Sequence, residues 1–131
     1  MLRIFLIIAF CMHSMANLSG AIAPWKQTSL GFTDSHWLLS SGGTLHSTAG
    51  RLFSLAWLLS SLCLLGAGVG LILYQGWWLP LAIAGSLFSL VAIVPWARVV
   101  PSGARFGAIF DAVMLAVLIS PLGQQIAGMV D

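Results

Sequence analysis

Apolar residues along this chain do not alternate with polar ones; they arrive in long runs separated by short polar breaks. The first run covers residues 4–23 and is interrupted by His13, Ser14, Asn17 and Ser19. A much longer one covers residues 52–97, between Arg51 and Arg98, and contains no Asp, Glu, Lys, Arg or His. At ~1.5 Å of rise per helical residue, that stretch is roughly twice what a ~30 Å hydrocarbon core requires. Its break at Gln75-Gly76-Trp77-Trp78-Leu79-Pro80 divides it into the two arms of a helical hairpin. A last run starts near Arg105 and reaches about Ile119, where Ser120-Pro121 should kink or end it. The pattern predicts an all-α integral membrane four-helix bundle, a single membrane domain over residues 1–131. Its membrane helices are expected at about 4–23, 52–74, 79–95 and 105–120, with one polar loop, residues 24–50, after the first helix.

The polar loop contains Thr33-Asp34-Ser35 followed by His36-Trp37-Leu38-Leu39, which reads as a helix start leading into a short apolar turn. We expect a short helix there, lying at the membrane surface with Trp37, Leu38 and Leu39 dipping inward. A plain extended loop is the alternative. The first run also has the outline of a secretory signal peptide, with Arg3 ahead of it and Ser14-Met15-Ala16 as a cleavage site. An uncleaved helix is the better reading, because apolar character continues through Ile22 and Ala23 and Trp25 then stands where an interfacial aromatic belongs.

Composition agrees with the pattern. The 131 residues are 60% hydrophobic and 6% charged, with a mean hydropathy of +1.03, whereas soluble domains carry about 25% charged residues. A net charge of +2 from only five basic residues, spread along the chain, makes no basic arm, so nucleic acid is not an expected partner. Cys11 and Cys63 lie inside apolar runs, as small buried hydrophobes do, rather than in a disulfide framework.

Charge and aromatic placement then suggest a topology. Four crossings put Lys26, Arg51, Arg98 and Arg105 on one side, and Arg3, the Trp77-Trp78 turn and Asp131 on the other. Basic residues in short loops favour the cytoplasm, so both termini are expected outside, in a membrane that is by default the bacterial inner one. Trp25 and Trp96 close helices on the basic side, while Trp77 and Trp78 anchor the opposite side. Small residues mark faces where membrane helices pack closely: Gly66 and Gly70 in the second helix, Ala82, Ser86 and Ser89 in the third, Gly107 in the fourth.

Asp111 is the most informative single residue. A charged side chain at a helix centre costs at least ~2.5–3.5 kcal/mol on insertion scales, so Asp111 should face the bundle and find a partner. Arg51, Arg98 and Arg105 stand at the appropriate end to supply it, giving an intramembrane polar network of Asp111, Arg51, Arg98 and Arg105. Proton or ion handling by Asp111 is the functional alternative to a structural pair. His13 is the one candidate cofactor-binding residue, through haem or pigment ligation. A bis-histidine haem needs a second histidine at similar depth and there is none, so a neutral imidazole hydrogen-bonded to Ser60, Ser61 or a backbone carbonyl is the simpler reading. We expect no resident cofactor or metal.

No Gly-x-Ser-x-Gly elbow, phosphate loop, His-Glu-x-x-His or Cys-x-x-Cys occurs, and an enzyme is not expected. Size and helix count are similar to those of the small multidrug exporters, but their membrane-embedded Glu in the first helix has no counterpart here. The leading expectation is a non-enzymatic accessory or structural subunit, embedded in a lipid bilayer and packed against other membrane subunits or copies of itself. A small oligomeric transporter or channel component using Asp111 with the arginines is the second. A subunit holding a cofactor on His13 is the third.

Overall fold

The structure, a computed structural model, describes residues 1–26 and 30–130. Among the described residues it contains helices and loops and no strand. Helix α1 (Leu2–Ile22) continues into one 3-10 turn (Ala23–Trp25), and α2 (Thr48–Ile72), α3 (Trp78–Ile93), α4 (Ser102–Leu118) and α5 (Pro121–Val130) follow. The second helix is central: α1 packs along one side of it and α3 along another, α4 packs on α3, and α5 on α4.

The start of α1 meets the end of α2, and one residue fastens them. Arg3 donates to the carbonyls of Leu71 (2.7 Å) and Ile72 (3.2 Å). These are among the last carbonyls of α2, which have no partner within their own helix and lie at its negative dipole end, so a cation there satisfies both demands. The α2–α3 turn is a Schellman closure, with the Gln75 amide on the Gly70 carbonyl and the Tyr74 amide on that of Leu71. Its left-handed residue is Tyr74, at φ +55°, where glycine is usual. The Arg3 guanidinium lies 3.1 Å from the Tyr74 ring centroid, a cation–π contact that offsets part of that backbone cost.

Two apolar clusters fill the ends of the bundle. Near the long loop, Phe32, Trp57, Trp96, Val99 and Val100 pack with the end of α1. At the Arg3 end, Phe10, Leu64, Leu71, Trp78 and Leu118 pack with Val130 of α5. Between them lies a layer of buried polar side chains.

Several expectations need correction. Among the described residues, two segments are long and apolar enough to cross a membrane, Leu2–Trp25 (24 residues) and Thr48–Ile72 (25 residues). A third counts only if α4 and α5, bent by 90° at their junction, act as one span. The expected third crossing at 79–95 is α3, whose 16 residues reach only about 24 Å. It stops at Ile93 because the chain turns ahead of and through Pro95, with Trp96 and Ala97 amides bonded in tight turns to Ile93 and Val94. The fourth predicted helix ends at Leu118, as Ser120-Pro121 suggested, and Pro121–Val130 beyond it form a further helix. Gln124 and Gln125 are exposed while Gly123 and Val130 are buried, so α5 turns one face to the bundle. Asp131, assigned to the amino-terminal side from sequence, lies outside the described residues.

The loop between Trp25 and Thr48 forms no surface helix among its described residues. Its amides are taken by distant carbonyls instead: Thr33 bonds to Val99 (2.9 Å), Leu38 to Pro95 (2.8 Å) and Trp37 to Gly43 (3.0 Å). Once those groups are engaged, an i to i−4 ladder cannot form. Leu38 and Leu39 are exposed, and only Trp37 turns in, against Phe53 and Trp96. Trp78 and Trp96, expected as interfacial anchors, are fully buried core residues; Trp25 and Trp77 remain exposed.

Close approach of α1 and α2 depends on Gly20. A Cβ there would lie 2.7 Å from the Trp57 ring. The Gly20→Leu variant is expected to lose about 1–3 kcal/mol through overpacking, read as a lower thermal midpoint by circular dichroism in a mild detergent. An unchanged midpoint would show that the two helices need no close contact here.

Candidate functional site

Halfway along α1, three helices bring their polar side chains to one point. His13 stands on α1, Ser89 on α3 and Asp111 on α4; Nε2 of His13 is 2.9 Å from Oδ2 of Asp111 and 3.4 Å from Oγ of Ser89. Ser89 donates its hydroxyl to Oδ1 of Asn17 (3.3 Å), and the Asn17 amide donates back to the His13 carbonyl (3.3 Å). His13 and Asn17 are four residues apart on α1, so both point to the same neighbours. Asp111 is fully buried, and the His13 side chain is 12% exposed. Among the described residues this is the one contact between an acidic and a basic side chain.

What permits the pair is Gly107, one turn before Asp111 on α4. A Cβ at that position would lie 2.9 Å from Cε1 of His13. With hydrogen there instead, α4 comes close enough for its next turn to reach Nε2. Phe110 covers the imidazole from another side, its ring centroid 5.4 Å away.

The same polar layer continues to the other helix contacts. Ser14 and Ser61 each donate to the other's backbone carbonyl, at 2.8 and 3.0 Å, joining α1 to α2. The adjacent Ser60 donates to the Gly85 carbonyl of α3 at 2.8 Å. Consecutive helix residues are about 100° apart around the axis, so Ser60 and Ser61 can serve different neighbours. Two buried polar atoms in the layer lack a hydrogen-bond partner, Oδ1 of Asp111 and Oγ of Ser86.

Sequence had nominated Arg51, Arg98 and Arg105 as partners of Asp111, and the structure does not bring them together. All three are exposed at the loop end. Arg105 donates to the Ala97 carbonyl (3.1 Å), and Arg51 lies 5.2 Å from the Trp25 ring. The Arg98 backbone carbonyl accepts from the Thr33 hydroxyl. Nor does His13 bond to Ser60 or Ser61, which bond instead to Gly85 of α3 and Ser14 of α1. The packing residues fall as follows: Gly66 lies under Leu81, Gly70 under Trp77 and Trp78, and Ala82, Ser86 and Ser89 are fully buried on α3. Gly85, which admits Leu64, Gly20 and the Ser14–Ser61 pair were missed in sequence. The i, i+4 spacing of His13 and Asn17 was a legible signal that one face of α1 is polar at mid-depth.

Beside the pair, a cleft of about 520 Å³ lies between α1 and α4. Its walls are mostly apolar, including Phe32, Trp57, Phe106 and Phe110, and His13 and Asn17 line its polar part. Among the described residues, no three His, Cys, Asp or Glu side chains converge as a metal site. The site's chemistry is therefore that of one imidazole oriented by one carboxyl at the edge of an apolar cleft.

No protein-family model matches the chain, and neither a curated protein nor a solved structure matches it significantly.

Removing one partner of a buried pair leaves the other unpaired and typically costs about 3–5 kcal/mol. Asp111→Ala is expected to fall toward the lower end of that range, because the His13 side chain is partly exposed and so less costly to leave unpaired. A His13→Ala, Asp111→Ala double-mutant cycle in detergent should give a coupling of about 1.5–3 kcal/mol. Additive losses would show that the two side chains do not stabilise each other.

Proposed function

We propose that this chain is a small, non-enzymatic membrane subunit that packs against other membrane proteins or against copies of itself. The observation that carries this reading is the self-contained polar layer. The buried carboxyl of Asp111 meets an imidazole from the same chain, and apolar clusters close the bundle above and below that pair. A layer of this kind holds helices in register; it does not lead a series of ionisable groups from one membrane face to the other.

The outer surface supports the same reading. Helix α1 turns Ile4, Phe5, Ile8, Met12 and Met15 outward, so a long apolar face remains for lipid or for a neighbouring helix. The short α3 and the bent α4–α5 pair leave part of the bilayer depth unfilled beside α2, which a partner helix can occupy. Lys26, Arg51, Arg98 and Arg105 are exposed at the loop end, and that end is assigned to the cytoplasm, with the amino terminus outside.

Purification in mild detergent tests the reading. A membrane partner retained in stoichiometric amount, or a stable oligomer by light scattering, is the expected result. A lone monomer that carries protons across liposome membranes, with the flux lost in Asp111→Asn, would overturn it in favour of transport.

A further inference from the structure

The His13–Asp111 pair uses one ring nitrogen of the histidine and leaves the other. Nδ1 has no hydrogen-bond partner among the described residues, and the ring lines the α1/α4 cleft. The proton inventory says what that nitrogen is. A net charge at this depth is costly, so the pair as a whole is neutral. A hydroxyl on the partnerless Oδ1 would be buried without an acceptor, so a neutral pair holds either a carboxylate with a doubly protonated imidazolium, or a carboxyl donating its proton from Oδ2 to Nε2. Both arrangements put a hydrogen on Nδ1. Either way, His13 presents an N–H donor to the cleft, and a ligand must answer with an acceptor.

The surroundings narrow the acceptor further. Gly107 brings the α4 backbone against Cε1, where an added Cβ would lie 2.9 Å away. Phe106, Phe110, Phe32 and Trp57 provide flat aromatic walls. A volume of about 520 Å³ falls within the range of small-molecule sites. We propose that this cleft binds a lipophilic quinone, its ring held among the aromatic side chains, one carbonyl oxygen accepting from Nδ1 of His13, and its aliphatic tail running out between α1 and α4. Asn17 can support the same oxygen, since its amide has a second hydrogen beyond the one given to the His13 carbonyl. Binding of this kind is a property of the single chain and does not depend on the subunit partner proposed above.

Calorimetric titration of the full-length protein in detergent with a decyl-substituted para-benzoquinone tests it. The expected result is saturable binding at one site per chain. Decylbenzene, which keeps the tail and ring and lacks the carbonyls, should bind about tenfold more weakly. Ala16→Trp fills the cleft from an exposed position on α1 and should abolish saturable binding. In the unliganded wild type, ¹⁵N NMR of labelled histidine should show Nδ1 of His13 protonated. Equal affinity for decylbenzene, equal competition by dioctanoylglycerol, unchanged binding in Ala16→Trp, or an unprotonated Nδ1 would each overturn the assignment.

Discussion

A polar group inside a bilayer has no water to turn to, and the architecture follows from how this chain meets that constraint. Every helix that contributes to the middle of the bundle brings polar side chains there, and nearly all are satisfied across a helix boundary. Ser14 and Ser61 join α1 to α2, Ser60 joins α2 to α3, and His13, Asn17 and Ser89 join α1 to α3. Asp111 adds α4. Apolar side chains slide past one another at little cost when lipid is as apolar as they are, so these hydrogen bonds set depth and rotation where hydrophobic packing alone does not.

Glycine makes the layer geometrically attainable. Gly107 admits His13, Gly20 admits Trp57, and Gly85 admits Leu64 beside the carbonyl that Ser60 reaches. Each brings a backbone close enough for a short side chain on the next helix to bond. The same economy operates at the Arg3 end, where a single guanidinium caps the last carbonyls of α2 and covers the ring of Tyr74 in its left-handed turn. A residue that sequence placed only on the side opposite the basic loop is thus part of a helix junction.

The pair and the cleft share the same two helices. Helices α1 and α4 meet at the His13–Gly107 contact, and the cleft beside it is also lined by Phe32, Val100 and Pro101 from other segments. At the meeting point the imidazole is held by Asp111; beyond it the same ring faces open space. An element that fixes the bundle therefore also furnishes the cleft's polar contact.

Sequence by itself determined the helical, membrane-compatible character of the chain, because long uncharged runs and 6% charged residues admit no water-facing surface. It also marked the breaks, since Gly76 and Pro121 act through local backbone chemistry. It identified Asp111 as requiring a partner, on the cost of its charge alone. Which partner it takes is a tertiary matter: His13 is 98 residues away, and only the close approach of α4 at Gly107 decides between it and three arginines that equally satisfied the charge rule. The same holds for α3, whose length depended on turns around Pro95, and for the loop, whose helix-like sequence lost its amides to carbonyls at Pro95 and Val99. The tryptophans divided likewise: position near a helix end suggested an interface for all four, and packing placed Trp78 and Trp96 in the core. Local rules read charge and backbone preference; long-range packing chooses among partners those rules leave equivalent.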